Sequence, residues 1–356
     1  MVGTLTEAAS LRQIYDLVGT TGSVSAAAKE LGIPRNTARH RYKVAMSRLG
    51  LPEIRKSEAI SSPYVVHMPP SPFRSLEELI IHKRKESERN IAADEAANLV
   101  RVDIKTKGPI GLIVFGDPHI DAPGCDFALL ERHLKLAAKR SDYLFAGNAG
   151  DLRDNWVGRL STLYSHSTVT SSETLMLVEW MLRGAGVNWL YLVRGNHDCW
   201  AGDNDPLDWM LRGAVAYERP AGVRLALHHP EGRVTRVHTR HDFPGSSIYN
   251  PLHALKREVL HGFRDHVIIA GHRHIGADAG DVNGDGSVFQ MIRVSGYKRA
   301  DPYRHERNLH SAPIHPAALL IIDPTVPDTD RARVWCAPNV EEGCEYLDFK
   351  RRKFEK

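Results

Sequence analysis

Apolar residues in the first fifty positions recur at helical spacing. Leu11, Ile14, Tyr15 and Val18 fall at i, i+3, i+4 and i+7, one stripe of an amphipathic helix. TTGS breaks that helix, Ser25 is placed to cap a second over AAAKEL, and Gly32 ends it. Pro34 suits the opening turn of a third helix, IPRNTARHRYKVAMSRL, because a missing N–H costs nothing there. Ala38, Tyr42, Ala45 and Leu49 line one side of it, and Arg35, Asn36, Arg39, His40 and Lys43 lie away from that side. Prolines 63, 69, 70 and 72 among serines then mark a linker, and SLEELIIHKRKESERNIAADEAANLV reads as a solvated connecting helix.

From about residue 101 the pattern changes. Short apolar runs, RVDIK, GLIVFGD, DYLFAGNAGD and NWLYLVRGNHD, alternate with the helical DFALLERHLKLAAKR and SSETLMLVEWMLRGA. Such alternation predicts a layered α/β domain. The division expected is 1–56 for the helical module, 57–100 for linker and charged helix, 101–340 for the α/β domain and 341–356 for a basic, frayed tail ending FKRRKFEK.

Composition narrows the picture. Apolar residues make up 42% of the 356, enough for a sizeable core, yet no run approaches the roughly 20 residues of a membrane span. The start, MVGTLTEAASLRQ, lacks a secretory pattern, and the four cysteines (125, 199, 336, 344) show no CxxC spacing. A reduced, cytoplasmic protein without membrane contact is the expectation. Net charge is +4 but uneven: residues 1–56 hold nine basic and four acidic residues, a net +5, which leaves −1 for the rest. That asymmetry points to an anionic partner for the N-terminal module.

Five apolar strands each end in polar, metal-liganding types. GLIVFGDPHID ends in Asp117 and His119, YLFAGNAGD in Asp151, WLYLVRGNHD in Asn196, His197 and Asp198, RVTRVHTRHDF in His241, and HVIIAGHRH in His272 and His274. The C-terminal edge of an α/β sheet is where ligand sites form. Glycines directly before these residues read as sharp turns. Asp, His and Asn without Cys suit Mn, Fe, Zn or Mg. About seven such groups exceed the needs of one ion and suit two ions that share a carboxylate.

In this order, D-x-H, G-D-x-x-D, G-N-H-D, a strand-end H and G-H-x-H resemble the calcineurin-like metallophosphoesterases over about residues 111–275. The resemblance implies a four-layer sandwich, two mixed β-sheets flanked by helices. It implies Asp117, His119 and His274 on one ion, Asn196, His241 and His272 on the other, and Asp151 between them. It leaves His197 off the metals as the acid that protonates the leaving oxygen, with Asp198 orienting it. Two divalent ions follow, manganese the expected pair and iron, zinc or magnesium able to serve. Physics agrees: a water shared by two dications becomes a nucleophilic hydroxide near neutral pH, and an imidazole titrates in the range a proton donor needs. His238, in the same run as His241, is the competing ligand; His241 stands at the strand tip, and alternation puts the two on opposite faces. Asp154 matches the family's paired acid, but Asn155-Trp156 after it and Asp198 at the end of the third motif depart from the Ser/Thr-phosphatase branch.

The N-terminal segment TGSVSAAAKELGIPRNTARHRYKVAMSRLGL resembles a Fis-like helix-turn-helix. By that resemblance Arg35, Asn36, Thr37, Arg39 and His40 would meet base edges in the major groove, while Arg41, Lys43 and Arg48 meet phosphates. The expected protein is therefore a metal-dependent phosphoric ester hydrolase tethered to a DNA-binding module, acting as a nuclease or end-processing phosphodiesterase. A phosphatase or small-nucleotide phosphodiesterase, its module serving only for localisation, is the alternative. A DNA-binding regulator with an inactive phosphoesterase domain is a third, and the full ligand set argues against it. Tyr297, Lys298, Arg299, Tyr303 and Arg304, with Asp154, are candidates for the substrate cleft, since aromatics interleaved with cations suit a strand groove.

Overall fold

The computed structural model describes residues 2–54, 73–200, Leu207, Met210, 217–299 and 315–356. The expected linker core (57–72) and two cleft candidates, Tyr303 and Arg304, lie outside the described residues. The chain divides into two units, Met1–Leu76 and Glu77–Lys356.

The first unit is three helices, α1 (Val2–Thr21), α2 (Val24–Glu30) and α3 (Arg35–Leu49). Leu11, Ile14 and Val18 of α1 share one core with Ala27, Ala28, Ala38, Tyr42 and Ala45. The small residues of α2 let the helices approach, and Gly32 turns the chain between α2 and α3 at φ +63°. The cap of α2 is Ser23, not Ser25: Ala26 N–H donates to Ser23 Oγ at 3.1 Å. Ser25 falls inside the first turn, where its hydroxyl has lost the capping position. Arg35, Asn36, Thr37, Arg39, His40 and Lys43 are all exposed on α3.

In the second unit, the long helix α4 (Leu76–Ala97) precedes two six-stranded sheets. One sheet orders its strands β1-β6-β7-β8-β10-β9, the other β12-β11-β2-β3-β4-β5. Strands β2 (Ile110–Phe115), β3 (Leu144–Asn148), β4 (Trp189–Arg194) and β5 (Tyr217–Pro220) run parallel, and β11 (Ala317–Ile322) and β12 (Val334–Ala337) close that sheet antiparallel. In the other sheet β7 (Val234–Arg240), β8 (Val267–Ala270) and β10 (Val288–Arg293) run parallel. β6 (Gly222–His228) and β9 (Ala277–Val282) are antiparallel to β7 and β10, and β1 (Val100–Asp103) pairs parallel with β6. Both sheets are mixed.

Every residue of β2 is buried, and alternation sorts its side chains. Leu112 and Val114 face the other sheet, where they meet Leu225, Val237, Ile269 and Ile292. Ile113 and Phe115 face the helices α5 (Phe127–Ala138) and α6 (Ser171–Glu179), through Leu130, Leu134 and Val178. Helix α8 (His253–His261) covers the outer face of the other sheet with Ala254, Leu255 and Val259. The one-turn α7 (Asn196–Cys199) lies at the tip of β4. The result is the four-layer sandwich expected from the motifs.

The C-terminus corrects the sequence reading. Residues 341–356 are not a frayed tail but most of a fifteen-residue helix, α9 (Val340–Phe354). Val340, Cys344 and Leu347 pack it onto the second sheet within the same core as Ile113 and Leu319. The last turn carries Arg351, Arg352 and Lys353, placed where cations meet the negative end of the helix dipole.

Candidate metal centre

Parallel strands bring their C-terminal tips to one edge. The tips of β2, β3 and β4 from one sheet and of β7 and β8 from the other therefore converge, and each delivers its polar residues there. Asp117 Oδ2 lies 3.2 Å from His274 Nε2 and accepts the backbone N–H of His272 at 2.8 Å. Asp151 Oδ1 accepts the N–H of His197 at 3.0 Å. Its Oδ2 then faces His241 Nε2 at 3.2 Å, with His119 Nε2 and His197 Nε2 each 3.9 Å away. Asn196 Oδ1 and His272 Nδ1 stand 2.9 and 3.0 Å from His241 Nε2. Asp151 thus looks toward two groups of donors, Asp117, His119 and His274 on one side and Asn196, His241 and His272 on the other.

The residues fit a pair of cations. Ligand atoms about 2.1 Å from a shared ion lie about 3.0–3.4 Å from each other; Asp117–His274 and Asp151–His241, each at 3.2 Å, match that spacing, while His119 Nε2 stands 3.9 Å from Asp151 Oδ2. Asp117 Oδ1 and His119 Nε2 are buried with no hydrogen-bond partner in the protein. A buried polar atom without a partner is costly unless something else satisfies it. Two of the rings hold their second nitrogen against a protein oxygen. His241 Nδ1 is 2.9 Å from Ala149 O, and His119 Nδ1 is 2.8 Å from Asp154 Oδ1. Such partners fix the ring orientation and leave the other nitrogen toward the site. Burial, with Lys298 nearby, pushes the His119 imidazole down to about 4, so it is neutral as a ligand must be. Burial also works against charge on His241, but Asp151 and Asp117 outweigh it and lift that imidazole to about 10.

The backbone is strained in the same place. Seven described residues other than glycine have positive φ, and four of them are His119 (40°), Asp151 (49°), His272 (67°) and His274 (50°). Conformations of this kind cost of order 1–3 kcal/mol each and gather at functional sites. The glycines before them serve a different purpose from the one expected. Of the strand-tip glycines only Gly150 takes a positive φ, at 122°. Gly195 and Gly271 instead leave room: a Cβ on either would collide with the carboxylate of Asp151 or Asp117 respectively.

Other expectations are also adjusted. Asp198 does not touch the His197 ring. Its two oxygens accept Leu152 N–H at 3.0 Å and Gly195 N–H at 2.9 Å, so it pins the β3 and β4 loops together and caps α7. His197 Nδ1 instead meets the backbone carbonyl of Asp154. The ring is flanked by Trp156, 4.8 Å away between centroids, and Trp200, 4.1 Å away. Between His238 and His241 the geometry decides: His238 lies 3.5 Å from Glu258 and edge-on to Phe243, away from the centre.

Of the described cleft candidates, Tyr297, Lys298 and Asp154 are buried and only Arg299 is exposed. Tyr297 is fully buried, its hydroxyl 2.8 Å from His133 Nδ1, because it sits in the core beside Phe115. Arg299 pairs with Asp126 at 2.7 Å, at the start of α5. Lys298 and Asp154 form a buried pair at 2.8 Å behind His119. Two functional neighbours were missed from sequence, Trp156 and Trp200. The available signal was their place, two residues after the paired acid Asp154 and three after His197, on tip loops where a large ring has no core to join. Arg293, 2% exposed, was missed as well. Its guanidinium donates to Gly271 O at 2.8 Å and to Asp242 Oδ1 at 3.2 Å, which holds the β7 and β8 tips in register.

No family model and no curated protein matches this chain. Solved structures similar to it include a 5′-nucleotidase precursor from Thermus thermophilus, 11% identical with a TM-score of 0.37 over 69% of this chain. The chain spans 59% of that nucleotidase's length. The calcineurin-like phosphoesterase YfkN from Bacillus subtilis is 11% identical, with a TM-score of 0.36 over 68% of this chain and all of the other. A Vps29 from Entamoeba histolytica, complexed with zinc, is 12% identical, with a TM-score of 0.30 over 64% of this chain and 97% of the other.

Proposed function

We propose that this chain is a phosphoester hydrolase dependent on two divalent metals, and that its substrates are phosphodiester bonds of DNA held in part by residues 1–56. One observation carries the hydrolase: three thiolate-free groups, Asp117–His119–His274, His119–Asp151–His197 and Asp151–His241–His272, adjoin one another through His119 and Asp151, and buried Asp117 Oδ1 and His119 Nε2 lack a hydrogen-bond partner in the protein. Asp117, His119 and His274 would hold one ion, Asn196, His241 and His272 the other, with Asp151 common to both. When bound, the ions supply an acidified water and neutralise charge on the phosphoryl group. His197 moves the proton. The Asp154 carbonyl keeps its Nδ1 protonated, and its Nε2 faces the centre to release a proton to the departing oxygen. The DNA part is supported by the net +5 of residues 1–56 and by the exposed Arg35, Arg39, His40 and Lys43 on α3.

The test is elemental analysis together with an activity panel in Mn²⁺. The expected result is two ions per chain, loss of both in Asp151→Ala, and hydrolysis of bis-p-nitrophenyl phosphate and of DNA. One ion or none in metal-replete protein would refute the shared centre. Turnover of small nucleotide esters without cleavage of duplex, plasmid or single-stranded DNA would move the substrate to free nucleotides.

A further inference from the structure

Trp156 and Trp200 are half-buried indoles at the mouth of the metal centre, and the hydrolytic reading gives them no task. Both touch the His197 ring, Trp156 edge-on at 71° and Trp200 tilted at 40°. Their centroids are 6.1 Å apart, with the planes inclined by 37°. The loop that carries Trp156 is pinned to the His197 loop, since Asn155 Nδ2 donates to His197 O at 2.7 Å. Lys298 Nζ lies 5.1 Å from the Trp156 centroid, a cation on an aromatic ring. The two largest side chains in the repertoire are therefore fixed beside the proton donor while part of their surface stays in water.

Holding one imidazole in place does not require two such rings. Their position is informative. His197 serves the departing oxygen, so whatever leaves with that oxygen passes beside these rings. We infer that Trp156 and Trp200 form a stacking shelf on the leaving-group side, and that the preferred phosphoester carries a nucleobase there. The inference rests on the phosphoesterase reading above. The shelf is sequence-tolerant because every base has a π-face, and it favours an unpaired base, since a paired and stacked one offers no free face.

The experiment is a competition assay on the full-length, Mn²⁺-loaded protein with bis-p-nitrophenyl phosphate as reporter. AMP and ribose 5-phosphate present the same phosphate and sugar and differ in the base. AMP should compete about 5- to 150-fold more tightly, the worth of one stacked base. In Trp156→Leu and in Trp200→Leu that advantage should shrink about fivefold or more, with ribose 5-phosphate moved less than about twofold. Trp156→Phe should keep part of the advantage, and metal content should match wild type in every variant. Equal competition by AMP and ribose 5-phosphate in the wild type would overturn the shelf, as would variants that weaken both competitors equally. Failure of the wild type to hydrolyse the reporter at all would instead sink the phosphoesterase reading. A 5′-phosphorylated oligothymidylate that competes more tightly than AMP would assign the base to a strand end; equal competition would assign it to a free nucleotide.

Discussion

Asp154 separates metal binding from folding in a way that can be measured. Its Oδ1 lies 2.8 Å from Lys298 Nζ and 2.8 Å from His119 Nδ1, and both partners are buried. Burial alone would raise this carboxyl, but His119 and Lys298 outweigh it and hold the group well below the usual carboxylate range. Asp154→Ala takes the carboxylate away from a buried ammonium, a loss of about 3–5 kcal/mol. That is a large share of the roughly 5–15 kcal/mol of an ordinary domain. Replacing Lys298 as well, by Met, removes the buried charge that has lost its Asp154 contact and should return most of the loss. Metal affinity should behave differently. His119 loses the group that orients its ring in either variant, and removing such a partner weakens a metal site by about 10- to 100-fold. At 1.4 kcal/mol per tenfold this is about 1.4–2.8 kcal/mol. Urea unfolding of metal-free protein, followed by circular dichroism, reads the first quantity, and Mn²⁺ titration against a chelating dye reads the second. A double variant that regains stability but stays weak for metal is the expected result. A double variant with wild-type metal affinity would show that the Asp154 contact does nothing to orient His119.

Three further outcomes follow from the geometry. His197→Ala should keep both metals yet lower turnover by about 10²–10⁴, with a smaller loss for p-nitrophenolate esters, whose leaving group needs no proton; loss of metal in elemental analysis would mark His197 as a ligand. Arg39→Ala with Lys43→Ala should weaken duplex binding and flatten its salt dependence while leaving bis-p-nitrophenyl phosphate turnover unchanged; an unaltered salt slope would remove α3 from the DNA contact. Burial pushes His266 down to about 4, and its Nδ1 accepts the backbone N–H of Arg236 at 3.0 Å. Its folded value lies below the unfolded value of about 6.5, so its contribution to stability is intact above pH 6.5 and fades as pH falls toward 4. Lowering pH from 7 to 4.5 should therefore cost about 2–3 kcal/mol through this one group. His266→Asn, which can keep the acceptor without titrating, should remove that share from the urea midpoint; an unchanged pH dependence would refute the assignment.

The sequence was most legible where strands are buried on both faces. β2, β3, β4 and β8 are short apolar runs closed by ligand types, so both their position and their chemistry could be read, whereas β7 is mostly polar and was marked by its histidine tip. Strands β5, β6 and β9 to β12 supply none of the proposed ligands that would mark them, and β11 joins its sheet beside β2 from the far end of the domain, a pairing that leaves no local mark. Helix α9 was misread because its charged end dominates, although Val340, Cys344 and Leu347 fall at i, i+4 and i+7. Asp198 was misassigned for a geometric reason: side chains at i and i+1 of a helical turn diverge, so adjacency in GNHD does not bring Asp198 to the His197 ring. The cleft residues Tyr297 and Lys298 failed similarly, since an aromatic next to a cation looks the same whether it lines a groove or fills a core. His241 could be preferred over His238 because it stands at the strand tip, with alternation putting the two on opposite faces, and the structure puts His241 in the centre.

Each donor set draws on both sheets. Asp117 and His119 belong to the sheet of β2, whereas His274 follows β8 of the other sheet. Asn196 follows β4, while His241 and His272 follow β7 and β8. An ion held by either set would thus rivet the two layers together at their open edge, where polar tips rather than apolar side chains meet. Occupancy then acts as mechanical reinforcement as well as chemistry. At a hundredfold excess over its dissociation constant each ion would add about 2.7 kcal/mol to the cohesion of the sandwich, and chelation would take that share away.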